Sequence, residues 1–235
     1  MLVDLHCHTY PISRCSAVDY RQMIAHSKAV GLDGIVIANH YQKGYLKDLN
    51  VTAQEFAKLY VEEFEKTLSY AKEVDFKVFF AVEITAEAFP LAHLVVYGVP
   101  YEFLYENPEI YDLSLKEIYE KVKQYGGILI QAHPFRSDMT VMNTDFLDGV
   151  EINCHPVFGP TCKQELIKIS KEKGLHITCG SDYHGKIYRP RCGMIIPDDT
   201  ENTFDLANYI MSENEKTLLV HEQGEKEAEY IKIPR

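Results

Sequence analysis

The chain lacks several features that would place it in a specialised class of protein. It contains no tryptophan, and none of its six cysteines forms a Cys-x-x-Cys pair. Scattered cysteines do not supply the paired ligands of a zinc ribbon, and we expect them to be reduced packing residues. No apolar run reaches the roughly 20 residues of a membrane-spanning helix. The first residues also lack the basic start and long apolar core of a signal peptide, which predicts a cytoplasmic protein with no membrane association.

Positive charge is also scarce. The chain has 24 lysines and arginines against 35 aspartates and glutamates, a formal net charge of -11. This balance makes long nucleic acid an unlikely partner, because such proteins neutralise many phosphates with basic side chains. A small anionic substrate remains compatible with the balance, since bound divalent cations would dominate the field locally.

The remaining composition is that of an ordinary globular domain. Of the 235 residues, 46% are hydrophobic and 25% are charged, which suits one domain with a sizeable core. Strand-like and helix-like patterns alternate along the chain with mostly short loops, which predicts an α/β fold with parallel strands. Ser16, Thr52 and Ser114 resemble helix N-caps. We therefore expect a single domain over residues 1–235, with a charged tail from about residue 221.

Two histidines end the first apolar run, Met1 to Thr9. Because side chains alternate along a strand, His6 and His8 point to one face and Cys7 to the other. Two imidazoles on one face are half of a transition-metal site. A lone His-x-His is equally typical of hydrogen-bonded residues at a strand end, so the other strands must decide.

Other apolar runs also end in residues that can bind a metal. The additional candidates are His40, Glu83, His133, Asp182 and His184 at strand ends, and His93 at the start of a strand. In a closed parallel barrel all C-terminal strand ends meet at one mouth, where active sites are found. The pattern therefore predicts a metal cluster there. These candidates exceed what one ion needs, which favours a polynuclear site bridged by a carboxylate.

The ordered set of motifs resembles the PHP (polymerase and histidinol phosphatase) family from Asp4 to His184. The motifs are Asp4-Leu5-His6-Cys7-His8-Thr9, Val36-Ile37-Ala38-Asn39-His40, Val82-Glu83, His93-Leu94-Val95-Val96-Tyr97-Gly98, Ala132-His133-Pro134 and Gly180-Ser181-Asp182-Tyr183-His184. The resemblance implies a distorted (β/α)7 barrel with its metal site at the C-terminal mouth. It also implies two or three divalent ions (zinc, manganese or iron) and hydrolysis of phosphoric ester bonds.

The resemblance also implies a ligand set. It assigns one ion to His6, His8 and Asp182 with Glu83 bridging, a second to Glu83, His93 and His133, and a third to His40, His184 and a residue of the loop after the first strand. That loop residue is usually aspartate or histidine in the family, and here the position looks like Arg14. The family also commonly has aspartate where this chain has Asn39. Because a guanidinium has no lone pair for a cation, we expect Arg14 to bind the phosphate of a substrate instead.

Several other side chains are candidates for the site. Arg14 and Arg136 are expected to contact phosphate, because arginine can bind it through two parallel hydrogen bonds; Arg189 and Arg191 are more typical of solvated loops. Asp182 and His184 are candidate catalytic groups as well as ligands. His155 is a candidate for the pocket lining, and Glu151 and Asn153 share a face from which they could support the ligands.

The sequence thus predicts a metal-dependent phosphoesterase that hydrolyses a small phosphomonoester, such as histidinol phosphate or a nucleotide phosphate, by attack of a metal-bound hydroxide. One alternative is an amidohydrolase barrel, which also begins with His-x-His but leaves Glu83 and the Asp182–His184 pair unexplained. Another is a non-catalytic metal-holding interaction module. The oligomeric state is left open.

Overall fold

Eleven strands and seven α-helices make up the described part of the computed structural model, residues 1–136 and 139–234. The strands are β1 (Leu2–Cys7), β2 (Gly34–Ile37), β3 (His40–Gln42), β4 (Lys77–Thr85), β5 (His93–Tyr97), β6 (Ile128–Gln131), β7 (Gly149–Asn153), β8 (His176–Gly180), β9 (Gly193–Ile195), β10 (Lys216–Val220) and β11 (Glu229–Ile233). The helices are α1 (Tyr20–Ala29), α2 (Gly44–Leu49), α3 (Ala53–Glu73), α4 (Glu102–Glu106), α5 (Leu115–Gln124), α6 (Lys163–Lys173) and α7 (Thr203–Met211).

The strands form one curved sheet that is nearly closed into a barrel. Its order is β11-β10-β9-β1-β2-β4-β5-β6-β7-β8, with β3 paired to β4 beyond the end of β2. Backbone hydrogen bonds connect the segment after β8 to the end of β1: the Asp182 amide donates to the His6 carbonyl (2.9 Å), and the His8 amide donates to the Tyr183 carbonyl (3.1 Å). These bonds bring the first and last barrel strands together at the end that carries the histidines.

The expectation that all strands run parallel is wrong. β5 is antiparallel to both β4 and β6, because the connection over residues 86–92 is shorter than the dozen or so residues that a parallel crossover needs. The reversal explains why His93 starts its strand while the other candidates follow theirs. The start of β5 lies at the same mouth as the C-terminal ends of its parallel neighbours.

Three antiparallel strands extend the sheet beyond β1. β9 pairs with β1, β10 with β9, and β11 with β10. The chain from about residue 221, which the sequence predicted as a charged tail, therefore includes an edge strand. Within the described residues, no helix combines the length and hydrophobicity needed to cross a bilayer.

Two of the three predicted helix caps are confirmed. Thr52 and Ser114 form capping boxes with Glu55 and Glu117 at the starts of α3 and α5. The prediction for Ser16 is wrong, because α1 begins after Asp19, whose carboxylate accepts a hydrogen bond from the Gln22 amide. The Ser16 hydroxyl instead donates to the carbonyl of His8 (3.0 Å) and closes the loop after β1.

Helix α3 packs against the backbone that precedes two of the candidate ligands. Its apolar face includes Phe56, Tyr60 and Phe64, which are almost fully buried and recur at the four-residue spacing of one helix face. The Tyr60 hydroxyl lies 2.8 Å from the carbonyl of Asn39 and 2.9 Å from that of Ala81. This contact ties the helix to the backbone just before two of the candidate ligands, His40 and Glu83.

Candidate metal centre

The end of β1 delivers His6 and His8 to a fully buried position. The Nε2 atom of His8 lies 2.9 Å from Nε2 of His6 and 2.9 Å from Oδ1 of Asp182. Nε2 of His6 lies 3.2 Å from Oε1 of Glu83. One donor atom from each of these four side chains lies within 4.8 Å of the others, so residues far apart in the sequence converge on one centre.

Glu83 connects this group to the next one. Its Oε1 atom lies 3.1 Å from Nδ1 of His93 and 3.3 Å from Nε2 of His133, while its Oε2 atom lies 2.5 Å from Nδ1 of His40. Glu83 itself is fully buried. A carboxylate placed between two sets of imidazoles has the geometry of a bridging ligand.

A third group lies at the more open side. Nε2 of His40 faces Nε2 of His184 at 3.4 Å, and His8 completes a set of three imidazoles within 4.8 Å. The backbone carbonyl of Asp182 can only accept a hydrogen bond, so Nδ1 of His184, at 2.8 Å, is the nitrogen that carries the proton. The lone pair of His184 Nε2 therefore points at His40.

The carboxylates of the site are held in their ionised form. Burial raises the pKa of Glu83, but the surrounding imidazoles, His40 first, keep that pKa well below its usual range. Burial likewise raises the pKa of Asp182, and the charges of Arg136 and His184 more than reverse the effect. Ionised oxygens and imidazole lone pairs facing one centre form a site for cations.

Several buried polar atoms of the cluster have no hydrogen bond of acceptable geometry. They are His40 Nδ1, Glu83 Oε2, His133 Nδ1 and Asp182 Oδ1. Buried polar groups are normally satisfied, and each one left without a hydrogen bond costs free energy. Imidazole nitrogen and carboxylate oxygen are ligands that zinc, manganese and iron accept. The residues therefore fit a transition-metal cluster.

Glu151 orients the ligands from behind. Its Oε1 accepts a hydrogen bond from Nδ1 of His6 (2.8 Å), and its Oε2 accepts from the His133 amide (3.1 Å) and the Asn153 side chain (2.9 Å). A β-carbon on Gly180 would lie 2.5 Å from Cβ of His6 and 2.7 Å from Oε1 of Glu151. Glycine at this position lets the carboxylate reach the imidazole.

Asn39 organises the loop after β1. Its Oδ1 atom accepts hydrogen bonds from the Thr9 amide (2.7 Å) and the Ser13 hydroxyl (2.8 Å). The Ser13 oxygen in turn accepts from the His40 amide and lies 3.0 Å from Nδ1 of His8. Since the Ser13 proton goes to Asn39, Nδ1 of His8 must be the donor, which leaves its Nε2 lone pair for the centre.

The two arginines expected to contact phosphate lie in different places. Arg136 Nη1 lies 2.6 Å from Oδ2 of Asp182, and Nη2 donates to the Asn153 side chain at 2.8 Å. The structure does not bring Arg14 to the cluster: its side chain is exposed, and its guanidinium lies 5.7 Å from the centre of the Tyr10 ring. The next residue, Cys15, lines the cavity instead.

Arg189 lies in a buried ion pair outside the candidate metal centre. It is almost fully buried, and its Nη1 atom lies 2.7 Å from Oδ2 of Asp4. Its Nη2 atom donates to Ser27 at 3.2 Å. The expectation that Arg189 is a solvated loop residue is therefore wrong, because its guanidinium is buried in an ion pair with Asp4.

A cavity of about 380 Å³ opens over the cluster. It is lined by Cys15, His40, His93, Arg136, His155, Val157, Phe158, Asp182, His184, Lys186 and Ile187. The walls combine ligand-type, basic and apolar side chains. This size suits a small molecule or a single protruding group.

The sequence pattern missed Cys15 and Lys186 and left His155 ambiguous. Burial is the main reason that the pKa of His155 is lowered to about 4. Its Nδ1 atom accepts from the amides of Val157 (3.1 Å) and Phe158 (3.3 Å), so the neutral ring carries its proton on Nε2. Cys15, His155 and Lys186 lie in loops that follow strands, where no periodicity indicates which side chains face inward.

Three buried cysteines form a separate cluster. Sulfur atoms of Cys154, Cys179 and Cys192 lie within 4.8 Å of one another. The His221 amide donates to Cys154 (3.4 Å), and the Cys179 thiol donates to the carbonyl of Leu219 (3.4 Å). All three cysteines are free and buried.

Comparison with known proteins identifies the fold. No protein-family model matches the chain, and no curated protein matches it. A structure of a proposed metal-dependent phosphoesterase from Bifidobacterium adolescentis superposes with a TM-score of 0.56 at 16% identity, covering 88% of this chain and 95% of that one. A two-domain protein from Bacteroides vulgatus, containing a predicted PHP-like metal-dependent phosphoesterase, gives 0.57 at 16% identity over 93% of this chain, which spans only 58% of that protein.

An amidohydrolase from Chromobacterium violaceum, described with bound sulfate and no metal, has a TM-score of 0.59 at 13% identity, over 89% of this chain and 97% of that one. At such identities the likeness establishes a shared architecture. The resemblance to PHP-like structures is therefore confirmed for the fold, while the chemistry has to be argued from the side chains.

Proposed function

We propose that the chain is a metal-dependent phosphoesterase that hydrolyses a small phosphomonoester at the mouth of the nearly closed barrel. The observation that carries this proposal is the convergence of His6, His8, Glu83 and Asp182, whose donor atoms face one buried centre with their lone pairs or negative charge. Gathering so many polar groups at one buried position costs free energy unless hydrogen bonds or bound cations satisfy them.

The arrangement would accommodate two ions, and a third at the open side. His6, His8, Asp182 and one Glu83 oxygen would hold the first; Glu83, His93 and His133 would hold the second; His40 and His184 would contribute to the third. When bound, divalent ions would neutralise phosphoryl oxygens and activate water as the nucleophile. Zinc, manganese and iron all suit these donors.

The basic side chains of the cavity would bind the phosphate of the substrate. Arg136 is half-buried beside Asp182, and its Nε atom is buried without a hydrogen bond in the described structure. Lys186 lies on the exposed rim of the same cavity. The neutral Nε2–H group of His155 can donate to a phosphoryl or leaving oxygen. The low pKa of His155 keeps the ring neutral near pH 7. The neutral ring still carries one proton, on Nε2, so it can donate without being charged.

The size of the cavity favours a small substrate. About 380 Å³ accommodates a phosphate with a compact organic group, and Val157, Phe158 and Ile187 would contact the apolar part of that group. The net charge of -11 disfavours long nucleic acid as the substrate. Histidinol phosphate and nucleotide monophosphates are compatible in size and charge.

A substrate screen tests the proposal. Protein reconstituted separately with zinc, manganese and iron(II) is assayed on phosphomonoesters, phosphodiesters, nucleotides and cyclic amides. We expect metal-dependent release of phosphate from a small monoester, absent in the Glu83→Gln variant purified in parallel, which controls for contaminating phosphatases. Hydrolysis of a cyclic amide without phosphatase activity would instead favour an amidohydrolase. Tight metal binding with no turnover on any panel would favour an interaction module.

A further inference from the structure

The loop after β1 presents two neighbouring side chains to opposite sides. Arg14 is exposed and lies over the Tyr10 ring, whereas Cys15 is half-buried and lines the cavity with His40 and His184. The hydroxyl of the buried Tyr45 donates to the Cys15 sulfur at 3.5 Å. The sulfur therefore lies beside the outermost pair of imidazoles.

Hydrogen bonds on both sides of Cys15 hold the loop in this orientation. The Ser13 hydroxyl donates to Asn39 and accepts from the His40 amide. Two residues after Cys15, the Ala17 amide donates to the carbonyl of His184 (2.8 Å). The loop is thus attached to both strand ends that carry the outer imidazoles, and the position of the thiol follows from the same contacts.

The outer imidazoles need a further donor. Nε2 of His40 and Nε2 of His184 face each other at 3.4 Å, because each ring directs its Nδ1 atom elsewhere: His184 to the carbonyl of Asp182, and His40 to the Glu83 carboxylate. His8 lies near both, but its Nε2 atom is 2.9 Å from Asp182 and belongs to the inner group. Within the described residues of the loop, Cys15 is the side chain that lines the cavity beside the pair.

We propose that the Cys15 thiolate, with His40 and His184, binds the outermost ion as a His₂Cys site. This inference rests on the proposed function, since it concerns the same cluster. A thiolate is a soft ligand that strongly favours zinc over magnesium or manganese, and the Cys15 thiol would release its proton to solvent when it binds the metal. The outer site would therefore select a thiophilic ion, whereas the inner sites, built from imidazole and carboxylate, would accept a wider range.

Cobalt substitution tests the sulfur ligand independently of activity. The protein is reconstituted with Co²⁺, and the near-ultraviolet sulfur-to-cobalt charge-transfer band is recorded together with the number of ions bound. We expect the band in the parent protein and its loss in Cys15→Ser, which should also bind one ion fewer per chain at saturating cobalt. Cys162→Ser, which removes a half-buried thiol at the start of α6, and Arg14→Ala should keep both the band and the ion.

Alkylation of the parent protein provides a second measurement that requires no variant. After treatment with iodoacetamide, peptide mass spectrometry should show that Cys15 is modified in the metal-free protein. Added Zn²⁺ should lower the rate of this modification at least tenfold. A parent protein without the band, a band that survives in Cys15→Ser, or alkylation of Cys15 at an unchanged rate with Zn²⁺ would each overturn the inference. Failure of the phosphoesterase proposal would appear differently, as an intact cobalt band in a protein with no phosphatase activity.

Discussion

The Nδ1 atom of His6 donates a hydrogen bond to Oε1 of Glu151 at 2.8 Å, and this contact fixes which nitrogen faces the cluster. Outer carboxylates of this kind orient a metal-binding histidine and raise its basicity. Glu151→Gln should therefore weaken metal binding by about 10- to 100-fold with the fold retained. Competition with a chelator measures the affinity, and circular dichroism checks the fold. Unchanged affinity would mean that Glu151 only fills space.

Replacing the central carboxylate should have a larger effect. Glu83→Gln removes the negative charge that contacts imidazoles on both sides, so we expect loss of metal and of hydrolysis together. Metal content by elemental analysis and phosphate release are measured on the same preparation. Glu63→Gln is the matched control, since Glu63 is a buried glutamate of α3 that pairs with Lys66 and should keep both properties. A fully metal-loaded, active Glu83→Gln protein would contradict the bridging role.

The two candidate phosphate-binding arginines can be separated. Arg136→Ala should raise the KM for the substrate by about 10- to 100-fold, the loss expected for hydrogen bonds to a charged group, with metal content unchanged. Arg21→Ala, which removes an exposed arginine of α1, should leave KM unaltered. Arg14→Ala measured alongside tests the expectation from the sequence. A larger rise in KM for Arg14→Ala than for Arg136→Ala would show that the loop carries the phosphate contact.

Metal binding should release a proton from His40. Burial lowers the pKa of this imidazole, but the Glu83 carboxylate and Cys15 together raise it to about 10. The raised folded-state pKa means that the proton stabilises the metal-free protein below the unfolded value of about 6.5, and that this stabilisation is lost as the pH rises through 10. Between these values a metal must displace the proton, so affinity should increase with pH. Calorimetry in buffers of different ionisation enthalpy measures the release; no proton release at pH 8 would contradict this protonation state.

The buried ion pair between Arg189 and Asp4 of β1 should contribute strongly to the free energy of unfolding. Arg189→Met leaves the Asp4 carboxylate buried without its counter-charge, which should lower the free energy of unfolding by about 3–5 kcal/mol. Urea denaturation measures the loss. The exposed neighbour Arg191 provides the control, because Arg191→Met should change stability by less than about 0.5 kcal/mol. Equal, small effects would show that the pair contributes little.

The sequence by itself determined which residues could bind metal and that they would meet. His6 and His8 share a face because strands alternate, and His40, His133 and Asp182 follow strands whose ends gather at one mouth. These inferences hold because they depend on the strand period and on parallel pairing, both of which are local or general. The capping boxes at Thr52 and Ser114 could likewise be predicted from the sequence, since each depends on residues only three positions apart.

Only the tertiary structure decided the direction of β5 and the orientation of the loop after β1. A strand pattern has no polarity, so the reversal that brings His93 to the mouth depends on a connection too short for a crossover. Whether Arg14 or Cys15 faces the cavity depends on hydrogen bonds that the loop makes with Asn39, His40 and His184, which are distant in sequence. An irregular loop has no period that tells inward from outward, and its side chains acquire a direction only when the strands that hold it have closed into the barrel.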